Sequence, residues 1–394
     1  MKIPLARPWF DEADERAVVE TLRSGWVGQG PKVATFERRF AKYTGSPYAT
    51  AVSSCTAALH LAALAAGWGP GDEVLVPAFT WISTPNAAEY TGATPVFCDV
   101  DPVTLNLDPE DARRRVTDRT RGIIPVHLFG LAADMISFLA LAREHQLVLV
   151  EDAACALGSY VGQRHAGTLG EIGCFSFHPR KSITTGEGGM LVTHRQKLDI
   201  AFRSLRDIGA DRENLTGERA AQQQLPDFPV LGFNYRLTDL QAALGLTQLE
   251  KFTEILQLRR DRAQWYCDRI TRSALNDWLL PPPVCLDREH AYQSYVCRLR
   301  LASDNLAVFE SLHARRNRLM QRLLEVGVAT RPGTHAPHLL SYYQKKYRLC
   351  PQDYPQAWQA DWLTLALPLY PQMTEAEQEH VSSRLESVWD SLPQ

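Results

Sequence analysis

A repeated pairing constrains this chain most: a short apolar, β-rich run followed by a longer helical stretch, sustained through the first two-thirds of the sequence. The runs are 49–52, 73–76, 94–99, 122–126, 147–151, 173–177 and 190–193, and helices are predicted between them, for example over 56–66, 83–90 and 135–145. Several runs are apolar at successive positions, the pattern of strands buried on both faces. The alternation predicts an α/β domain with a mainly parallel central sheet and helices on both faces. Such sheets bind ligands beyond the carboxyl ends of their strands, so the residues that follow the runs are where chemistry is to be sought.

At 394 residues the chain is too long for one small core, and two domains are expected. From Thr238 the pattern turns helical, with Leu240, Leu244, Leu249, Phe252, Ile255 and Leu256 at three- and four-residue spacing. One helix is predicted there, linking a large domain, 1–254, to a smaller C-terminal α+β domain, 255–394. Pro281-Pro282-Pro283 marks a break inside the second. The polar stretch 211–229, with Gln222-Gln223-Gln224 and two prolines, is predicted to be a long exposed loop.

Composition narrows the classes. A net charge of −3 gives no reason to expect nucleic acid or an anionic membrane as partner. The start, Met1-Lys2-Ile3-Pro4-Leu5-Ala6-Arg7-Pro8, lacks the apolar run of a signal peptide. No stretch reaches the roughly 18 apolar residues of a spanning helix. The eight cysteines, at 55, 98, 155, 174, 267, 285, 297 and 350, form no Cys-x-x-Cys pair. That argues against a bound metal and against a disulfide framework. A cytoplasmic location is the expectation, in which the sequon Asn214-Leu215-Thr216 goes unused.

The chemistry-bearing residues fall where the sheet would bring them together. The run 147–150 ends in Glu151-Asp152-Ala153-Ala154, and Lys181 follows in Phe175-Ser176-Phe177-His178-Pro179-Arg180-Lys181-Ser182, ahead of the turn Gly186-Glu187-Gly188-Gly189. An acid at a strand end and a lysine on a glycine-rich turn are what pyridoxal phosphate requires: the lysine for a Schiff base, the acid for the pyridine nitrogen. Taken singly, such a lysine is a solvated charge and such an aspartate a helix cap; the reading rests on their order. Ser53-Ser54-Cys55-Thr56 opens a helix after a strand, and a helix N-terminus there suits either plain capping or a phosphate. Trp81, in Val76-Pro77-Ala78-Phe79-Thr80-Trp81, offers either a flat face for a cofactor ring or a core packing residue. Asn234, in Gly232-Phe233-Asn234-Tyr235-Arg236, is open among helix cap, phosphate ligand and subunit contact.

Together these segments resemble the DegT-type sugar aminotransferases. The resemblance also takes in Ser24-Gly25-Trp26-Val27-Gly28-Gln29-Gly30, Gly71-Asp72-Glu73-Val74, Gly92-Ala93-Thr94-Pro95-Val96-Phe97, Pro125-Val126-His127-Leu128-Phe129-Gly130 and Leu367-Pro368-Leu369-Tyr370, nearly the whole chain. It implies fold type I of the pyridoxal phosphate enzymes, with pyridoxamine phosphate as the second form of the cofactor. It implies that Lys181 forms the Schiff base and shuttles the proton, that Asp152 pairs with the pyridine nitrogen and that Trp81 stacks on the ring. Cys55, Thr56 and Ser176 would hold the phosphate, and Asn234 would reach the phosphate in the neighbouring subunit of a homodimer. Trp26, Gly28, Gly30, His178 and Arg331 are candidates for the substrate side. At Cys155 the chain departs from the glutamine or histidine of many relatives, which hydrogen-bonds the ring hydroxyl; cysteine is a weaker donor.

The implied reaction moves an amino group from glutamate or glutamine to a keto-sugar, nucleotide-linked by resemblance, with a keto-cyclitol as the alternative. Two rivals are a sugar dehydratase on the same scaffold and a non-catalytic sensor. The dehydratase relatives carry histidine in place of the lysine, and a sensor has no need of Asp152, Ser176, Lys181 and Asn234 together.

Overall fold

The computed structural model describes residues 1–211, 225–303 and 305–393. The Asn214 sequon and the Gln222-Gln223-Gln224 run lie outside them, as does most of the expected loop 211–229. Nine strands are met up to residue 193: β1 (Tyr48–Val52), β2 (Glu73–Pro77), β3 (Thr94–Cys98), β4 (Thr120–Ile123), β5 (Val148–Asp152), β6 (Tyr160–Val161), β7 (Arg164–His165), β8 (Ile172–Ser176) and β9 (Gly189–Thr193). Seven of them form one sheet in the order β1-β9-β8-β5-β4-β2-β3. All its neighbours pair parallel except at β9, which runs antiparallel to both β1 and β8. The remaining strands are β10 (Leu279–Leu280), β11 (Arg288–Glu289), β12 (Tyr295–Leu299) and β13 (Thr364–Leu367). β10, β12 and β13 make a small antiparallel sheet, and β11 pairs with the β6–β7 hairpin.

Every predicted run is a strand, displaced by up to three residues. The largest displacement is at β4, expected over 122–126 and found over Thr120–Ile123. Pro125 has no N–H to donate, and beyond it only an isolated bridge joins Val126 to Asp152. The strands read as continuous apolar runs because helices cover both faces. Val74, Val76, Val150 and Leu191 pack with Ala57, Ala58 and Leu61 of the helix Cys55–Ala65. Their alternates face the other way: Met190 and Val192 meet Phe36 and Phe40, while Leu75 and Leu149 meet Phe138 and Leu141. This is the period-two alternation of a strand between two apolar layers. A separate core surrounds the small sheet, built on Leu279, Tyr295, Cys297, Leu299, Leu365 and Leu367.

The single helix expected from Thr238 is two, Asp239–Glu250 and Phe252–Thr271. Lys251 breaks the run at φ −94°, ψ 5°, and its ammonium is drawn to the carboxylates of Asp11, at 2.7 Å, and Asp14. The expected division at 254/255 falls within the first turn of the second helix. Among the described residues no helix is long and apolar enough to cross a membrane, and no cluster of His, Cys, Asp or Glu is arranged to hold a metal ion.

Candidate active site

β1, β2, β5 and β8 end at one edge of the sheet. Because β9 is reversed, its first residue lies there too: Gly189 is opposite both Val52 and Ser176. A cavity of about 300 Å³ opens at this edge, between the strand ends and residues 293–294, 331–334 and 366–369. Of the predicted residues, Cys55, Thr56, Trp81, Asp152, Cys155, Ser176, His178, Lys181 and Arg331 line it.

Asp152 is the last residue of β5 and is 4% exposed. Its Oδ2 accepts a hydrogen bond from Thr84 Oγ1 at 2.7 Å, and Oδ1 accepts one from the Ala154 N–H at 3.2 Å. Burial pushes its carboxyl above the ordinary aspartate value, against the opposing pull of Thr84, Ala154 and Lys181. Next to it Glu151 points to the other face, as strand alternation requires. It accepts bonds from His127 Nε2 at 2.8 Å and from the N–H groups of Gly167, Leu169 and Gly170 at 2.7, 2.6 and 2.6 Å. This fully satisfied buried carboxylate fixes the end of β5 and therefore the backbone of Asp152.

Lys181 sits on the connection between β8 and β9. Its Nζ lies 3.1 Å from Cys155 Sγ. Burial alone would lower its ammonium, but Cys155, Cys55 and Asp152 together outweigh it, so the free lysine is held above its ordinary value. The turn is tight: the Lys181 N–H donates to the His178 carbonyl at 2.8 Å.

The helix Cys55–Ala65 points its N-terminus at the same space. Ser54 caps it through the Ala57 N–H at 3.1 Å, and the first intrahelical bond runs from Ala58 N–H to the Ser54 carbonyl. The N–H groups of Cys55 and Thr56 precede that bond and so project off the helix end. Three hydroxyls stand around them: Thr56 and Ser83, whose oxygens are 2.8 Å apart, and Ser176. Gly189 makes this approach of strand to helix possible. A Cβ there would lie 2.5 Å from the Ser54 carbonyl atoms and 2.7 Å from the Cys55 nitrogen.

Trp81 is half exposed at the cavity wall, its ring 5.6 Å from that of His335 at a tilt of 41°. Arg331 lines the cavity from the far side and is bridged by its backbone to Ala366, with its guanidinium on the Gly333 carbonyl at 2.9 Å.

Four predicted residues lie outside the cavity of their own chain. Trp26 is 59% exposed and donates to the Gln29 carbonyl at 3.2 Å. Gly28 accepts from the Asp239 N–H at 2.7 Å, and Gly30 caps the helix Pro31–Thr44. Asn234 is exposed, but its segment is fastened. Its backbone bridges to Asp207, while the Tyr235 carbonyl accepts from Ser53 at 2.8 Å. Four residues that the sequence reading did not single out complete the site: Ser83, Thr84, Glu187 and Gln293. Ser83 and Thr84 open the helix Ser83–Thr91 just beyond β2, so the reasoning that found Ser54 applied to them equally. Gln293 carries no comparable local signal.

The donors fit a phosphorylated pyridine aldehyde. A helix end with spare N–H groups and three hydroxyls suits a phosphate, a buried carboxylate suits a ring nitrogen, and a buried amine suits an aldehyde. A family model described as the DegT/DnrJ/EryC1/StrS aminotransferase family matches residues 8–386. GDP-perosamine synthase of Caulobacter vibrioides is 37% identical over 388 residues, covering 98% of each chain. Among solved structures, the aminotransferase TlmJ of Streptoalloteichus hindustanus is 32% identical over 99% of each chain, with a TM-score of 0.87. The PLP-form of Spr1654 from Streptococcus pneumoniae is 28% identical over 100% of each chain, with a TM-score of 0.90. Its PMP-form gives a TM-score of 0.89 at 28% identity, over 99% of this chain and 98% of the other.

Proposed function

The chain belongs to the DegT/DnrJ/EryC1/StrS aminotransferase family, and from that premise we propose that Lys181 holds the aldehyde of pyridoxal phosphate and that the protein, by way of this cofactor, transfers an amino group from glutamate or glutamine to a keto-sugar. The observation that carries this is the convergence of Lys181, Asp152 and the N-terminus of the helix Cys55–Ala65 on one cavity of about 300 Å³.

When bound, the cofactor supplies an electron sink for the charge left on a carbon that loses its proton. The residues supply the rest. Thr84 and Ala154 orient the Asp152 carboxylate toward the ring nitrogen. Cys55, Thr56, Ser83 and Ser176 take the phosphate. Trp81 covers a ring face. Lys181 Nζ would accept the α-proton of the amino donor and give it up again to the carbon on the far side of the nitrogen; a lysine is suited to both tasks because its proton affinity responds to its surroundings. Arg331 and His178 face the incoming substrate.

A nucleotide-linked sugar is favoured because the relative named above is a GDP-sugar enzyme and because Arg180, Arg331 and His178 line this cavity; guanidinium groups pair with a diphosphate. A keto-cyclitol is the second substrate class to be screened. Asn234 lies outside its own cavity on an exposed, fastened segment, which supports its reaching a partner's phosphate in a cytoplasmic homodimer. Residues 1–254 are taken as the cofactor-binding unit and 255–394 as the unit that covers it.

The test is the visible spectrum of the purified protein supplied with pyridoxal phosphate. A yellow band that is lost on adding L-glutamate or L-glutamine, and that Lys181→Ala never forms, is expected. A colourless wild-type protein, or sustained multiple turnover by Lys181→Ala, would defeat the assignment.

A further inference from the structure

The peptide group that carries Lys181 is held at both ends. Its N–H, on Lys181, donates to the His178 carbonyl at 2.8 Å. Its carbonyl, on Arg180, accepts from Gln293 Nε2 at 2.5 Å. The first bond is local to the turn. The second crosses more than a hundred residues, from the segment that leads into β12 and the small sheet.

Gln293 is itself prepared for this. It is 8% exposed, and its Oε1 accepts from Ser294 Oγ at 3.0 Å, which fixes which end of the amide faces Arg180. Its backbone is fixed as well. Arg259, 2% exposed, directs Nη1 to the carbonyls of Tyr292 at 3.2 Å, Gln293 at 3.3 Å and Leu369 at 3.5 Å. The Ala291 N–H donates to the Gly130 carbonyl at 2.9 Å, and the Ser294 N–H to Phe129 at 3.3 Å. Tyr292 has φ +46°, a conformation that is strained for a non-glycine residue and persists only where surroundings enforce it. Gly130, at φ +101°, lets the two segments meet: a Cβ there would lie 3.0 Å from the backbone nitrogens of Tyr292 and Gln293.

We propose that Gln293 is a positioning residue for Lys181, its amide pinning the Arg180–Lys181 peptide plane so that the amine leaves the backbone in a fixed direction, and that Arg259 and the Tyr292 turn exist to aim it. The inference rests on the reading of Lys181 as the residue that joins the cofactor. A peptide plane held at one end turns about its remaining bond, and a small rotation there is multiplied along the four methylenes of the side chain. Loss of the Gln293 bond therefore leaves Lys181 present but poorly directed, and misdirection of a reacting group is slow to correct at the moment of reaction.

The test uses full-length protein stripped of cofactor, with the recovery of the yellow band followed after pyridoxal phosphate is added. Gln293→Met keeps the length of glutamine and has no N–H, so it separates donation from packing. Band recovery about tenfold slower than wild type is expected, equal to about 1.4 kcal/mol, the scale of one hydrogen bond with a partner left unmet. The melting temperature should fall by no more than the loss of one hydrogen bond explains, a few degrees, and the affinity for free phosphate, read by competition, should be unaltered. Gln293→Glu, which sets a carboxylate oxygen against the carbonyl, should be slowed at least as much and stands in if the methionine variant does not fold. Wild-type recovery rates in Gln293→Met would overturn the inference alone. A wild-type protein with no band at all would overturn the Lys181 reading and this inference with it.

Discussion

At Asp152 a carboxylate is buried, and the fold resists its charge. Burial raises its pKa. A group whose folded pKa lies above the unfolded value contributes stability below the unfolded value and loses it as pH rises through the folded one. Above that pH the ionised Asp152 is a cost to the protein without cofactor. Asp152→Asn should therefore melt at the same temperature as wild type or higher in the cofactor-free form at pH 7, while the half-reaction with the amino donor slows by about a hundredfold or more. Scanning calorimetry and stopped-flow absorbance on one preparation check both halves. Thr84→Val removes the 2.7 Å bond to Asp152 Oδ2 at nearly constant volume. It should lower stability by about 1–3 kcal/mol, since it leaves a buried acceptor short of a partner, which urea unfolding reads directly. Asp152 and Lys181 were legible in the sequence because each follows a recognisable strand. Thr84 was not, because a threonine at the start of a helix has a sufficient local explanation; only the three-dimensional path of β5 brings it to the carboxylate.

Among the elements, the β-runs were legible and the two-residue strands were not. β2 and β9 are buried at every position, so apolar continuity alone marks them. β6, β7 and β11 are two residues long, too short for any period to register. The linking helix was read as one because its apolar spacing runs through Lys251. At the break Lys251 is ion-paired with Asp11 and Asp14, more than two hundred residues away in sequence. The junction of β9 with the helix Cys55–Ala65 is the element contact that shapes the proposed phosphate site. Gly189→Ala would force a methyl group to within 2.5 Å of the Ser54 carbonyl atoms. Backbone has to move to admit it, at a cost of about 1–3 kcal/mol. Cofactor affinity should fall together with the melting temperature, as equilibrium dialysis and thermal scanning can establish; unchanged affinity at a lowered melting temperature would place the phosphate elsewhere.

For the whole molecule, acid stability depends in part on histidines that burial holds neutral, His165, His338 and His290 among them. His165 and His338 are 3% and 0% exposed. Burial, first among the causes, lowers both to about 4. The unfolded chain takes up these protons near pH 6.5 and the folded chain does not. Stability should accordingly be full above about 6.5 and fall as the pH drops toward 4, by up to about 1.4 kcal/mol per unit for each residue. Glu151 and Glu37 are held below the ordinary glutamate value, burial opposing and their hydrogen-bonded or ion-paired neighbours prevailing. Their contribution therefore persists until lower pH, while the raised carboxyl of Asp152 partly offsets the histidines' loss as the pH falls. Urea midpoints at pH 7, 6, 5 and 4.5 check this, and His338→Gln should flatten the profile.

The reversed direction of β9 has a mechanical meaning. Chain enters the Lys181 segment from β8 and leaves it into β9, and those two strands are neighbours in one ladder. The segment is thus a closed ring clamped at both feet, unlike the open crossovers that join the parallel strands. Pulling on such a ring loads two strands at once, so its feet are held by the sheet, and the peptide between them by its own bonds, Gln293 to Arg180 among them. Whatever travel the amine needs has to come from its own side chain, a flexible arm on a rigid mount.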